Sequence, residues 1–175
     1  AEEIHSTSQK KLHFIILVDV SETMEGKTKE LQNCIDSLLR DRTSEDLYSL
    51  VLFGDKAKVK EKAKKINSSN KISLPELSKK SNTGFLEALE HADGIIRESP
   101  RQYSPILIIF TDCLIKSASF GFGFIFRFGS GSGASINSQL LPKLSSKVEE
   151  LHDNFKDRGL LVFISYFDLS SQQGL

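Results

Sequence analysis

The chain lacks an excess of either charge. Its 23 Lys and Arg meet 23 Asp and Glu over 175 residues, so no global field would hold it on nucleic acid or on an anionic bilayer, and a charge-driven partner must be met locally. Cysteine is scarce too: Cys34 and Cys113 are the whole complement. Two thiols give no framework of bridges, so stability must come from an apolar core, and a reducing compartment is favoured. Cys34 is expected on a buried helix face and Cys113 at a strand end. No apolar run approaches the ~18 residues that cross a bilayer. The opening Ala-Glu-Glu-Ile-His lacks the charged-then-apolar pattern of a secretory signal. A cytoplasmic protein is therefore the expectation, with an extracellular setting kept open. Gly-x-Gly-x-x-Gly, the P-loop and a Ser-His-Asp set at recognisable junctions are all missing, and His5, His13, His91 and His152 are scattered, as surface or core side chains rather than ligands. Catalysis is not expected.

The residues present include 39% apolar ones, enough for one buried core and one globular unit. Residues 1–11 are polar and Ser-rich and read as a flexible leader. Residues 12–167 read as the domain, and 168–175 as a tail. A strand is predicted at 12–18. Leu31, Cys34, Ile35, Leu38 and Leu39 recur at three- and four-residue spacing, predicting an amphipathic helix over 27–40. Tyr48–Phe53 is a short apolar strand closed by Gly54-Asp55, and Lys56-Ala57-Lys58-Val59-Lys60 alternates at period two, so the pair reads as a hairpin. Lysines on its outer strand discourage edge-to-edge pairing. The nine lysines between 56 and 80 read as a solvated edge rather than an acidic-partner or nucleic-acid site, because no aromatic residue is interleaved for stacking. Helical spacing returns at 84–97 and at 140–158, the latter stopping at Gly159, while 106–110 and 160–167 are apolar strands. Strands alternating with helices predict an α/β domain with a largely parallel sheet covered on both faces.

Chemistry concentrates at the strand ends. Phe14-Ile15-Ile16-Leu17-Val18 runs directly into Asp19-Val20-Ser21-Glu22-Thr23, and Ile106-Leu107-Ile108-Ile109-Phe110 runs into Thr111-Asp112. Between them, Asn82-Thr83-Gly84 places a hydroxyl just ahead of a helix. In open α/β sheets ligands collect at the carboxyl ends of the strands. Oxygen-bearing side chains from three distant segments, Asp19, Ser21, Thr23, Thr83 and Asp112, are what a hard divalent cation requires.

Asp19-x-Ser21-x-Thr23-Met24, Thr83 before a helix, and Thr111-Asp112 ending a hydrophobic strand resemble the metal-ion-dependent adhesion site of von Willebrand factor type A domains. The resemblance covers roughly residues 12–167. It implies a Rossmann-like, doubly wound, mostly parallel sheet with one antiparallel edge strand and helices on both faces. It also implies a Mg ion, or Mn or Ca in its place, on the hydroxyls of Ser21, Thr23 and Thr83, with Asp19 and Asp112 acting directly or through water. An open position would accept a carboxylate from a partner protein, with no nucleic acid or membrane involved. Three positions depart from the usual pattern: Thr23 stands where Ser is common, Glu22 replaces a small residue, and Cys113 stands where Gly commonly follows the Asp.

An insertion at about 117–138 includes Phe120-Gly121-Phe122-Gly123-Phe124-Ile125-Phe126-Arg127-Phe128. If extended, period two puts all five rings on one side. The rings either cap the sheet or a neighbouring helix, or form a projecting arm that grips a partner or a second copy of the chain through residues 120–128. Gly129-Ser130-Gly131-Ser132-Gly133 is a flexible linker by composition. Two other functions compete with metal-dependent recognition. One is the same fold without metal, acting as a scaffold through another surface such as the Phe-rich segment. The other is phosphoryl transfer of the haloacid-dehalogenase type, which needs a second carboxylate two residues after Asp19, where this chain has Ser21.

Overall fold

Lys11–Asp19 forms β1, an inner strand of the sheet, in the computed structural model, which describes residues 10–21, 24, 26–40, 42, 45–66, 74, 83–111, 125–128 and 140–166. It begins one residue before the expected strand. α1 (Thr28–Arg40), β2 (Leu47–Phe53), β3 (Ala57–Lys65), α2 (Phe85–Glu98), β4 (Tyr103–Thr111), β5 (Ile125–Phe128), α3 (Leu140–Asn154) and β6 (Leu161–Tyr166) follow. The six described strands lie in the order β3-β2-β1-β4-β6-β5, and every neighbouring pair is parallel except the β2–β3 hairpin. The expected mostly parallel α/β fold with one antiparallel edge strand is thus observed. No described helix is long and apolar enough to cross a membrane.

The near-continuous apolar runs follow from burial on both faces, since a parallel strand between two helical layers has no solvent side. Ile15 and Leu17 join Val51, Phe53, Leu107, Ile109 and Ile164 beneath α2 and α3. Phe14, Ile16 and Val18 join Leu50, Leu52, Ile108 and Phe110 on the opposite face, against Leu31 and Ile35 of α1 and the fully buried Met24. Each such side chain contributes about 1.5–3 kcal/mol by leaving water.

Four details differ from the sequence reading. Cys34 is exposed rather than buried. Only Leu31 and Ile35 point squarely at the sheet. At 100° per residue Cys34 falls beside that ridge, where it lines an open apolar groove of about 650 Å³ between α1 and β1, β4 and β6, with Phe14, Ile106, Ile108, Phe110 and Phe163. The outer hairpin strand continues to Lys65, past the alternating stretch, because two register slips keep it paired with β2. The Ser49 hydroxyl accepts the backbone N–H of Ala63 there at 2.9 Å. The helix expected over 140–158 stops at Asn154; Phe155 leaves helical geometry at φ −120°, and a 3₁₀ turn, Lys156–Arg158, ends on Gly159 at φ 70°. Lastly, the backbone of Ile125–Phe128 pairs parallel to β6 and extends the sheet, while residues 120–124 lie outside the described residues.

The helical layer on the α2 side is fastened by charge. Asp93, mostly buried on α2, accepts from Arg97 Nε at 2.6 Å and from Lys147 Nζ of α3 at 3.0 Å. The Arg158 guanidinium donates to the carbonyls of Ile96, Pro100 and Tyr103, tying the last turn of α2 and the start of β4 to the turn that follows α3.

Candidate metal centre

The carboxyl edge of the sheet brings three loops together. Val20 N–H donates to the Phe53 carbonyl at 2.9 Å, and Gly84 N–H donates to the Gly54 carbonyl at 2.8 Å. The segment after β1, the β2–β3 turn and the approach to α2 therefore form one continuous rim. Gly84 is required in it: a Cβ at that position would lie 2.6–2.7 Å from the backbone N, Cα and C of Lys56. Such a distance is a clash with main chain, which cannot swing aside as a flexible side-chain end can.

Asp19 sits at the centre of this rim and is fully buried. Its Oδ1 accepts the Ser21 backbone N–H at 2.9 Å, and its Oδ2 accepts the Thr111 hydroxyl at 2.7 Å. The β1–β4 register explains the second bond. Val18 pairs with Phe110, so the next residue of each strand, Asp19 and Thr111, arrives side by side. Two hydrogen bonds, one to each oxygen, fix the plane of the carboxylate. Ser21 is also buried, and its carbonyl accepts Met24 N–H at 3.0 Å, which curls the loop back over the core. Thr83 is exposed on the neighbouring loop, and its hydroxyl donates to the Asp55 carbonyl at 3.3 Å.

Of the five residues singled out in the sequence, the structure places Asp19 and Ser21 in one loop and Thr83 on the adjoining one; Thr23 and Asp112 lie outside the described residues. Two participants were not singled out. The Thr111 hydroxyl clamps Asp19, and Gly84 lets the Thr83 loop close on the hairpin. Thr111 was visible as the last residue of its apolar run, but its pairing with Asp19 depends on a strand register that no local pattern encodes. Among the described residues no three His, Cys, Asp or Glu side chains cluster.

The sequence profile of the von Willebrand factor type A domain matches residues 14–114. The chain belongs to that family. No curated protein sequence matches it. Among solved structures, the vWA fold recurs in the pilus adhesin SpaC of Lactobacillus rhamnosus GG, with a TM-score of 0.63 at 16% identity over 90% of this chain and 24% of that one. The minor pilin PilB of Streptococcus sanguinis gives 0.62 at 13% identity over 92% of this chain and 51% of that one. A von Willebrand factor type A protein from Catenulispora acidiphila gives 0.56 at 15% identity, covering 85% of this chain and 42% of that one. This vWA chain thus spans about half or less of each of these three. At such identities the likeness carries the fold.

Proposed function

We propose that this vWA domain is a metal-dependent protein-interaction module, without catalytic activity, whose cation takes a carboxylate from a partner. The observation that carries the reading is the Asp19 clamp: a buried, oriented carboxylate at the carboxyl edge of the sheet, with the Ser21 and Thr83 loops around it. The donor set fits a hard cation. Thr83 directs its hydroxyl proton at the Asp55 carbonyl, the orientation in which a hydroxyl turns its oxygen toward a cation. Asp19 already accepts one hydrogen bond on each oxygen, which suits it to hold a cation's water as well as the cation itself.

Ser21, Thr23 and Thr83 would hold Mg, or Mn or Ca in its place, with Asp19 and Asp112 direct or through water. When bound, the cation would supply an open position for a carboxylate. Neutral hydroxyls donate less charge than carboxylates, so a cation held mainly by them attracts an acidic ligand more strongly. Titration calorimetry with Mg and Mn tests this on the wild type, Asp19→Ala, Thr83→Ala and Asp112→Ala. Binding heat in the wild type that vanishes in the variants is the expected result. Heat that survives unchanged in the variants overturns the reading.

A further inference from the structure

β3 is the outermost described strand on its side of the sheet, and it carries Lys58, Lys60, Lys62, Lys64 and Lys65 against Glu61 alone in a chain of zero formal net charge. Its lysines are not equivalent. Lys62 is paired with Glu98 and Lys64 with Glu61, so among the described residues the half of the strand far from the head is balanced at two of its three lysines, Lys65 being the exception. The half near the head is not: Lys56, Lys58 and Lys60 are exposed and form no ion pair among the described residues. The row starts at the rim itself, because the Lys56 backbone packs beneath Gly84, next to Thr83. Ala57 and Val59 pack on the α2 core, so the alternation turns Lys58 and Lys60 to the opposite, solvent side about 7 Å apart. Two carboxylates share this corner, Asp55 in the turn and Glu87, whose Oε2 accepts the Ala57 N–H at 3.3 Å.

Edge protection accounts for lysines on an outer strand in general. It does not account for pairing Lys62 and Lys64 with carboxylates while leaving Lys56, Lys58 and Lys60 without, since from Lys60 onward the strand also carries two register slips and Ala63 at φ 49°, devices that blunt an edge against a further strand without any charge. We infer that Lys56, Lys58 and Lys60 form a docking strip for an acidic protein segment, which runs along β3, the outer strand among the described residues, once one of its carboxylates is held at the head. The strip rests on the carboxylate-binding reading above for its geometry. Its charges act at the rim, so they govern the encounter rate and its salt dependence.

The probe is a fluorescent decaglutamate peptide, followed by stopped-flow anisotropy with Mg at low and high salt. The variants are Lys58→Glu/Lys60→Glu, the milder Lys58→Gln/Lys60→Gln, and Lys29→Glu, an exposed lysine on α1. The expected result is an association rate about ten-fold lower in the double Glu variant with a flatter salt dependence, an intermediate loss in the Gln variant, and little change in Lys29→Glu. Equal losses in Lys29→Glu and the double variant, or a decathymidine oligonucleotide binding as well as the peptide, would sink the strip. So would peptide binding that EDTA abolishes while the lysine changes leave it untouched, an outcome that spares the metal reading. Binding that survives EDTA but falls in the lysine variants keeps the strip and removes the metal.

Discussion

The Thr111 hydroxyl donates to Asp19 Oδ2 at 2.7 Å across 92 positions of sequence, joining the ends of β4 and β1 inside the candidate centre. That bond and its companion from Ser21 N–H make different demands of a substitute. In Asp19→Asn, the amide oxygen can still accept from the backbone N–H while the amide NH₂ donates to Thr111, whose hydroxyl rotates to accept. Asp19→Ala removes both acceptors, and a buried donor left unmet costs about 1–3 kcal/mol. Urea unfolding in EDTA should therefore place Asp19→Asn within ~1 kcal/mol of wild type and Asp19→Ala at least ~2 kcal/mol below it. Both should lose the Mg heat, which separates folding from binding.

Gly84 and Gly94 make a matched pair. A methyl group at Gly84 meets the Lys56 backbone at 2.6–2.7 Å, whereas one at Gly94, within α2, meets nothing within 4 Å. Gly84→Ala should destabilise by about 1–3 kcal/mol and weaken cation binding, because the Thr83 loop must lift off the hairpin. Gly94→Ala should stabilise by up to ~1 kcal/mol through helix propensity alone. Thermal melts and calorimetry on the two variants check both signs, and a harmless Gly84→Ala would mean that the rim yields.

His13 should make the fold acid-sensitive. Its ring is fully buried, with Nδ1 2.8 Å from Ser99 Oγ and Nε2 2.7 Å from Ser49 Oγ. Ser49 Oγ already accepts the Ala63 N–H, so its own proton is best directed at Nε2, which assigns a neutral imidazole donating from Nδ1 to Ser99. Burial first, and then the Arg158 charge, lower its pKa from 6.5 to about 4. The unfolded chain therefore binds more protons between those values, and stability falls as pH drops from about 6.5 toward 4, then levels off. The loss attributable to this one group is roughly 3 kcal/mol. Urea midpoints from pH 7 to pH 4 for wild type and His13→Gln should converge by about that amount; parallel curves would place the acid sensitivity elsewhere.

How much of this was readable beforehand divides along the range of the interactions. Phe14–Val18 and Ile106–Phe110 announce buried strands through composition alone, and Leu31 and Ile35 announce the buried ridge of α1, because those signals are local. Asp19 was visible for the same reason, as the first polar residue after an apolar run. The Asp19–Thr111 bond was not, since it follows from the parallel register of strands brought together only by the fold. The contact of Gly84 with Lys56 is equally non-local. Cys34 misled because helical spacing marks a side of the helix without saying how far the neighbouring layer extends. The Phe-rich stretch carried a period-two pattern but nothing to say that Ile125–Phe128 would pair parallel to β6.

The Asp93–Lys147 pair supplies a final test, of how the two helices on one face are held together. Burial alone would raise the Asp93 carboxyl, but hydrogen bonds and charge from Lys147 and Arg97 outweigh it and hold its pKa below the usual 3.8. Lys147 is raised in turn: burial lowers it, and Asp93 and Glu150 more than compensate. The lowered carboxyl contributes stability present above its unfolded pKa and lost as pH falls through its folded one. A double-mutant cycle with Asp93→Asn and Lys147→Met should give a coupling of about 0.5–2 kcal/mol at pH 7, reflecting partial burial. Repeated at a pH well below 3.8, where Asp93 is protonated, the coupling should largely disappear. A coupling unchanged by pH would show that the hydrogen bond between Lys147 and Asp93, and not the charge of the carboxylate, holds α3 to α2.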